Sequence, residues 1–224
     1  MASTTSRLGM TLPAASDAAD ITVLNENFNL IEAWLVNCAI GHTGGKTVDT
    51  LDNAVTFGLF VSNVGTPDGV YWDCLALPHN ANNILQIAYR ATYSPSRICI
   101  RRKTDGTWGE WEWLNPPMLP DVEYRTVERA GNKPVYKKRI VYQTTDIGSA
   151  GNVTTVSIPH GISGFGANIS VNASMGNNAL LPHMDGSGNM TCVAGVSGTA
   201  ITLRTMAAWS GNRTWTFDIA YTKA

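Results

Sequence analysis

The stretch of this chain that comes nearest to a ligand-binding signature is GHTGGKT, Gly41 to Thr47, which ends in the Gly-Lys-Thr of a phosphate-binding loop. Such a loop needs another glycine five residues before Gly45, where Ile40 stands, and it should follow a strand rather than a helical pattern. The segment therefore reads as a helix terminator and linker. His42, His79, His160 and His183 share no H-x-H, H-x-x-E or H-x-x-x-H spacing that would put two ligands on one metal. Sugar cleavage needs two carboxylates flanking the scissile bond. After Tyr142 the only acids are Asp146, Asp185 and Asp218, with no glutamate. Asp218 lies mid-strand and reads as part of a solvated face, and Asp185, in MDGSGN, reads as a turn residue. There is no G-x-S-x-G elbow, and no serine or cysteine is paired with a histidine. The expectation is a protein without catalytic residues, cofactor or metal.

Composition narrows the partners. Lys and Arg number 16 against 17 Asp and Glu, a formal net charge of -1, so there is no basic field to hold nucleic acid or an anionic membrane. Charged residues make up 15% of the 224 residues, against about 25% in ordinary soluble domains. Asn, Ser, Thr and Gly must supply the rest of the polar surface, above all after Gly131. Cys38, Cys74, Cys99 and Cys192 stand far apart with no C-x-x-C pair, and read as reduced, buried, small hydrophobes. The opening residues lack the apolar run of a secretory signal, and no later stretch is long enough to span a membrane. The expectation is a chain folded in the cytosol that, if it leaves a cell, does so by lysis or within a larger particle.

The elements follow from periodicity. Ile21, Leu24, Phe28, Ile31 and Leu35 repeat at spacings of 3, 4, 3 and 4, the a/d seam of a short coiled coil, with Asp20 as N-cap and Gly41, Gly44 and Gly45 ending it. Two heptads are too short to associate unaided. From Asp49 to Pro117 come short β-type runs broken by the turns TPDG and TDG. NPPMLPD, Asn115 to Asp121, is a Pro-rich hinge. Beyond it six alternating runs end in RTWTFDIAYT, whose Trp215, Phe217, Ile219 and Tyr221 share one face of a half-buried strand. Such a series predicts a sandwich or barrel.

Three segments together carry a resemblance. TLPAASDAADITVLNENFNLIEAWL resembles the opening of phage and prophage tail fibre proteins. TFGLFVSNVGTPDGVYWDCLALPHNANNILQIAYR, followed by RRKTDGTWGEW with Arg101, Asp105, Gly106, Thr107, Trp108 and Trp111, resembles the knob of pyocin-type tail fibres. GNKPVYKKRI with the ending FDIAYTK resembles the terminal head of tail proteins from phages of Gram-positive bacteria. The resemblance implies a mainly β receptor-binding protein of a virion tail tip or phage-tail-like particle, assembled as a homotrimer. Its parts would be an attachment segment with a short helix (1–48), a knob (49–117), a linker (118–133) and a β-sandwich head (134–224). The N-terminal segment would meet other tail or baseplate proteins, and the head would bind host cell-wall glycan without cleaving it. A polysaccharide-degrading tailspike and a purely structural tail component are the alternatives.

Sugar sites usually join an aromatic platform to fixed polar groups. On the expected head two loops have that content: Asn177 to Asn189, with His183 and Asp185, and Arg204 to Arg213, with Trp209, Asn212 and Arg213. These six, including Arg204 itself, are the candidate receptor-binding residues, and Ile21, Leu24, Phe28, Ile31 and Leu35 the candidate oligomerisation residues. The basic run Lys137, Lys138, Arg139 is expected to be solvated or pinned at a trimer contact.

Overall fold

The computed structural model describes residues 3–5, 9–12, 21–37, 45–90, 97–145, 147, 152–176, 179–184, 190–206 and 212–224. The chain forms two compact units, Met1–Trp111 and Glu112–Ala224. Both are built mainly of strands, as the alternating runs predict, and one helix is described.

In the first unit, β1 (Ser3–Thr4) and β2 (Thr11–Leu12) form a small antiparallel pair, followed by α1 (Ile21–Asn37). The Asn27 side chain ties the two together: its Oδ1 accepts from Thr11 N and its Nδ2 donates to Thr11 O, each at 2.9 Å. No α1 residue is buried within the chain. Ile21 (67% exposed), Leu24 (48%) and Phe28 (59%) lie open, and Ile31 and Leu35 are half-buried. Asp20, Gly41 and Gly44 lie outside the described residues. β3 (Lys46–Thr47) runs parallel to β4 (Gly58–Ser62), which begins the antiparallel series β5 (Trp72–Asn80), β6 (Asn83–Arg90) and β7 (Arg97–Thr104), with β8 (Thr107–Trp108) hairpinned onto β7. One face of this sheet buries Phe60, Trp72, Cys74, Ala76, Ile84, Ala88 and Cys99, a direct consequence of period-2 alternation. Burial also pushes the Cys74 thiol up to about 12, so it is a protonated core residue rather than a nucleophile.

The second unit contains β9 (Glu112–Trp113), β10 (Glu123–Ala130), β11 (Lys133–Thr144), β12 (Thr154–Pro159), β13 (Phe165–Met175), β14 (Ala179–Leu180), β15 (His183–Met184), β16 (Met190–Val196), β17 (Ala200–Thr205) and β18 (Arg213–Lys223). One sheet runs β14-β13-β18-β11-β10-β9, and a second runs β12-β17-β16-β15. Side chains from both meet in one core: Trp215, Phe217, Ile219 and Tyr221 of β18, Ile140 of β11, Ile158 of β12, Cys192 of β16, and Ile201 and Leu203 of β17. This is a β-sandwich centred on β18, which β11 and β13 flank on either side.

Several details differ from the sequence expectations. The segment 118–133 carries β10, paired with β11 from Glu123↔Lys138 to Ala130↔Lys133, so it belongs to the sheet rather than linking to it. Gly131 and Asn132, with φ of 54° and 64°, make the two-residue turn between them, a conformation that glycine and asparagine tolerate best. The basic run is used inside the unit. Lys137 pairs with Glu128, Lys138 Nζ donates to His160 O at 3.0 Å, and Arg139 meets Asp218 through two bonds of 2.7 Å. Asp218 is therefore an ion-pair partner and not a freely solvated acid. Trp113 of β9 packs edge-on against Tyr124 at 5.3 Å.

Because β10 completes the sheet, we predict that a chain of residues 112–224 unfolds in one cooperative thermal transition. A chain of residues 134–224, which lacks β10 and its buried Tyr124 and Thr126, should lose that transition. Circular dichroism melts compare the two, and equal melting temperatures would contradict the assignment.

Candidate functional site

The residues from Arg101 to Trp111 condense around one buried cation. Arg101 Nε donates to Gln86 Oε1 at 2.8 Å, and Arg101 Nη2 lies 2.7 Å from Asp52 Oδ1. Gln86 in turn donates through Nε2 to the carbonyls of Leu51 and Ala54 at 2.6 and 3.0 Å, fixing the 3-10 turn Leu51–Asn53. The Arg101 guanidinium carbon sits 4.3 Å from the Trp108 ring centre and 4.4 Å from that of Trp111. Burial draws the Arg101 pKa down, while the hydrogen bond and charge of Asp52 oppose that shift. Asp105 (φ 49°) and Gly106 (φ 84°) form the tight turn that returns Trp108 over Arg101. Trp111 Nε1 donates to Gly65 O at 2.9 Å, and at Gly65 (φ 68°) a Cβ would come within 2.5 Å of Thr50 Oγ1. With Arg101 only 7% exposed, this cluster is a clamp that holds the unit together rather than a ligand site.

His160 is also structural. Its Nδ1 accepts from Ile162 N at 3.1 Å, so its Nε2 carries the hydrogen and donates to Ser197 O at 3.1 Å. The ring stacks on Phe165, Phe165 on Tyr221 and Tyr221 on Tyr136. Glu123 accepts from both the Tyr221 hydroxyl and Lys223 Nζ. Burial, then the Glu123 contact, pushes the Tyr221 pKa up and keeps the phenol protonated as a donor.

A cleft of ≈ 290 Å³ opens at the end of the β11–β18 pair, lined by Gln143, Thr144, Thr145, Asn212, Arg213 and Thr214. Strand register makes it: Thr144 lies opposite Arg213 and Gln143 opposite Thr214. Thr144 Oγ1 accepts from the buried Trp215 Nε1 at 3.1 Å, which leaves the threonine hydrogen free to donate. Arg213 Nε is buried without a hydrogen-bond partner among the described residues. The lining is hydroxyls, amides and one guanidinium, a donor-rich set suited to polyhydroxylated ligands.

Of the six residues singled out from sequence, the structure brings Asn212 and Arg213 into this cleft. Arg204 lies elsewhere, exposed on β17 opposite Thr155 and Val193. His183 begins β15 opposite Cys192, but its side chain, together with Asp185 and Trp209, lies outside the described residues. Gln143, Thr144, Thr145 and Thr214 were missed, since polar residues at strand ends look like ordinary surface. The signal that finds them is the pairing register, which needs the fold.

No family model matches the chain, and no curated protein matches it. Among solved structures it is similar to a P. aeruginosa R1 pyocin fibre comprising C-terminal residues 323–701, at 10% identity over 79% of this chain and 66% of that one, with a TM-score of 0.26. A P. aeruginosa R2 pyocin fibre comprising C-terminal residues 323–691 aligns at 10% identity over 81% of this chain and 69% of that one, with a TM-score of 0.27. An N-truncated R2-type pyocin tail fibre aligns at 11% identity over 78% and 94%, with a TM-score of 0.25. Superpositions at this level establish no common fold and carry no functional conclusion.

The clamp makes a direct prediction. Arg101→Leu leaves the buried Gln86 Oε1 without its donor and removes two cation–π contacts, so it should lower the stability of the first unit by about 3 kcal/mol. Trp111→Ala should cost a similar amount, about 3 kcal/mol. Denaturant midpoints measure both, and wild-type midpoints would show that the clamp is incidental.

Proposed function

We propose that this chain is the receptor-binding component of a phage or phage-tail-like particle, attaching as a homotrimer to host cell-surface polysaccharide without cleaving it. The observation that carries the reading is that the motif residues of the tail-fibre resemblance form one physical assembly. Arg101, Trp108 and Trp111 stack as a single clamp behind the Asp105-Gly106 turn. The two segments of the head resemblance, Gly131 to Ile140 and Phe217 to Lys223, are likewise neighbours, with Tyr136 opposite Tyr221 and Ile140 opposite Phe217.

Two further features support it. The open Ile21, Leu24 and Phe28 on α1, continued by Ile31 and Leu35, form a self-complementary a/d seam that identical parallel helices would cover. The residues before α1 would then meet other tail or baseplate proteins. Among the described residues the C-terminal unit offers a cleft lined by hydroxyls, amides and one guanidinium, and Asp218 is engaged by Arg139 rather than poised as a catalytic acid. Weak single-site binding, near millimolar and about −4 kcal/mol, becomes strong attachment when three sites on one tip and several tips on one particle engage together. Nucleic acid and membrane are not among the partners in this reading, and the particle would leave its host by lysis.

The test uses the full chain. It should adhere to cells of a narrow bacterial group and release no reducing ends from their envelope polysaccharide. Release of reducing ends would make the protein a depolymerase, and failure to adhere to any host would leave a structural role. Light scattering should give three times the chain mass for the wild type and one chain mass for Phe28→Asp, which puts three carboxylates into one layer of the seam. A wild-type monomer at micromolar concentration would contradict the trimer.

A further inference from the structure

Arg213 occupies a position that packing alone would give to a hydrophobe. Counting back along β18, Tyr221, Ile219, Phe217 and Trp215 form the inward row, each at most 1% exposed. Arg213 is the next member of that row by strand alternation. Its Nε is buried at the sandwich end without a hydrogen-bond partner, and among the described residues no ion pair reaches its guanidinium. The acid described nearest in sequence, Asp218, is fully engaged by both bonds to Arg139. Among the described residues no carboxylate lines the cleft; its other members are Gln143, Thr144, Thr145, Asn212 and Thr214. A cation half-removed from water and given only neutral donors around it is matched by an anion from outside the chain, because a buried charged donor is costly until an acceptor meets it.

We propose that this cleft binds an oxyanion, a carboxylate or a phosphate, carried on the host polysaccharide. Arg213 supplies the charge, and the Thr144 hydroxyl, whose oxygen accepts from Trp215 Nε1, supplies a donor. The neighbouring amides and hydroxyls take the sugar hydroxyls beside the charged group. This rests on the reading of the chain as a host-glycan binder and narrows it: the receptor is an acidic or phosphate-bearing glycan, even though the protein has no net basic charge.

The test is a ligand-detected NMR titration of the full chain with three probes: glucuronic acid, glycerol phosphate and an uncharged methyl glucoside. One of the two anions should bind, and the one that does distinguishes carboxylate from phosphate. The uncharged sugar should bind at least tenfold more weakly. Arg213→Gln, whose guanidinium makes no ion pair with the described residues, should lose at least tenfold in affinity for the anion with an unchanged melting temperature. Arg102→Gln, which removes the same charge from an exposed position in the other unit, should bind as wild type. Equal binding of charged and uncharged probes, or anion binding that survives Arg213→Gln, overturns the proposal. Adherence to cells is read alongside. A wild-type chain that binds no cells defeats the host-binding reading while the titration still decides the site. A wild type and an Arg213→Gln chain that bind cells equally overturn the proposal and leave the host-binding reading standing.

Discussion

The C-terminal unit depends on the register between Lys133–Thr144 and Arg213–Lys223. Nine consecutive pairs join them, from Tyr136↔Tyr221 to Thr144↔Arg213, and the Arg139–Asp218 ion pair sits directly across the ladder at its middle. A slip of one residue would turn Trp215, Phe217, Ile219 and Tyr221 out of the core and their polar neighbours in. It would also separate the fork of Arg139 from the carboxylate that matches it, since a bidentate pair tolerates little displacement. The core face and the ion pair thus select the same register, and that register brings Thr144 to Arg213 and so forms the cleft. With both groups about a third exposed, the ion pair contributes more to specifying this alignment than to net stability.

The first unit solves a different problem with a similar device. Its sheet is small, and a small core is marginal if it is built from apolar burial alone. Around Arg101, hydrogen bonds fix the 3-10 turn through Gln86 while two indoles cover the guanidinium, so a polar network takes the place of a larger core. Such a network stabilises only when every member is satisfied. Arg101, Gln86, Asp52, Trp108 and Trp111 are joined in one such network, closed by the turn at Asp105-Gly106.

The elements that read clearly from sequence are those governed by local pattern. The a/d spacing gave α1, and strict alternation in RTWTFDIAYT gave β18. The strand β10 was obscured because Arg125, Glu128 and Arg129 look solvated, yet Tyr124 and Thr126 are buried between them and both arginines reach Glu112. Charge likewise misled at Lys137, Lys138, Arg139 and Asp218, whose partners lie between 9 and 79 residues away. A third of the candidate site was legible: of its six residues, Asn212 and Arg213 stood out by composition beside a turn. Thr214 beside them, and Gln143 to Thr145, distant in sequence, are ordinary in type, and only pairing of the two strands makes them part of a site.

Attachment to a polysaccharide is the central claim, and its most direct measurement is adherence of the full chain to host cells before and after their envelope polysaccharide is stripped. The account predicts that stripping abolishes adherence, that the purified polysaccharide competes for the chain, and that the polymer is recovered at its original length. Adherence that survives stripping but is lost when the cells are treated with protease would contradict it.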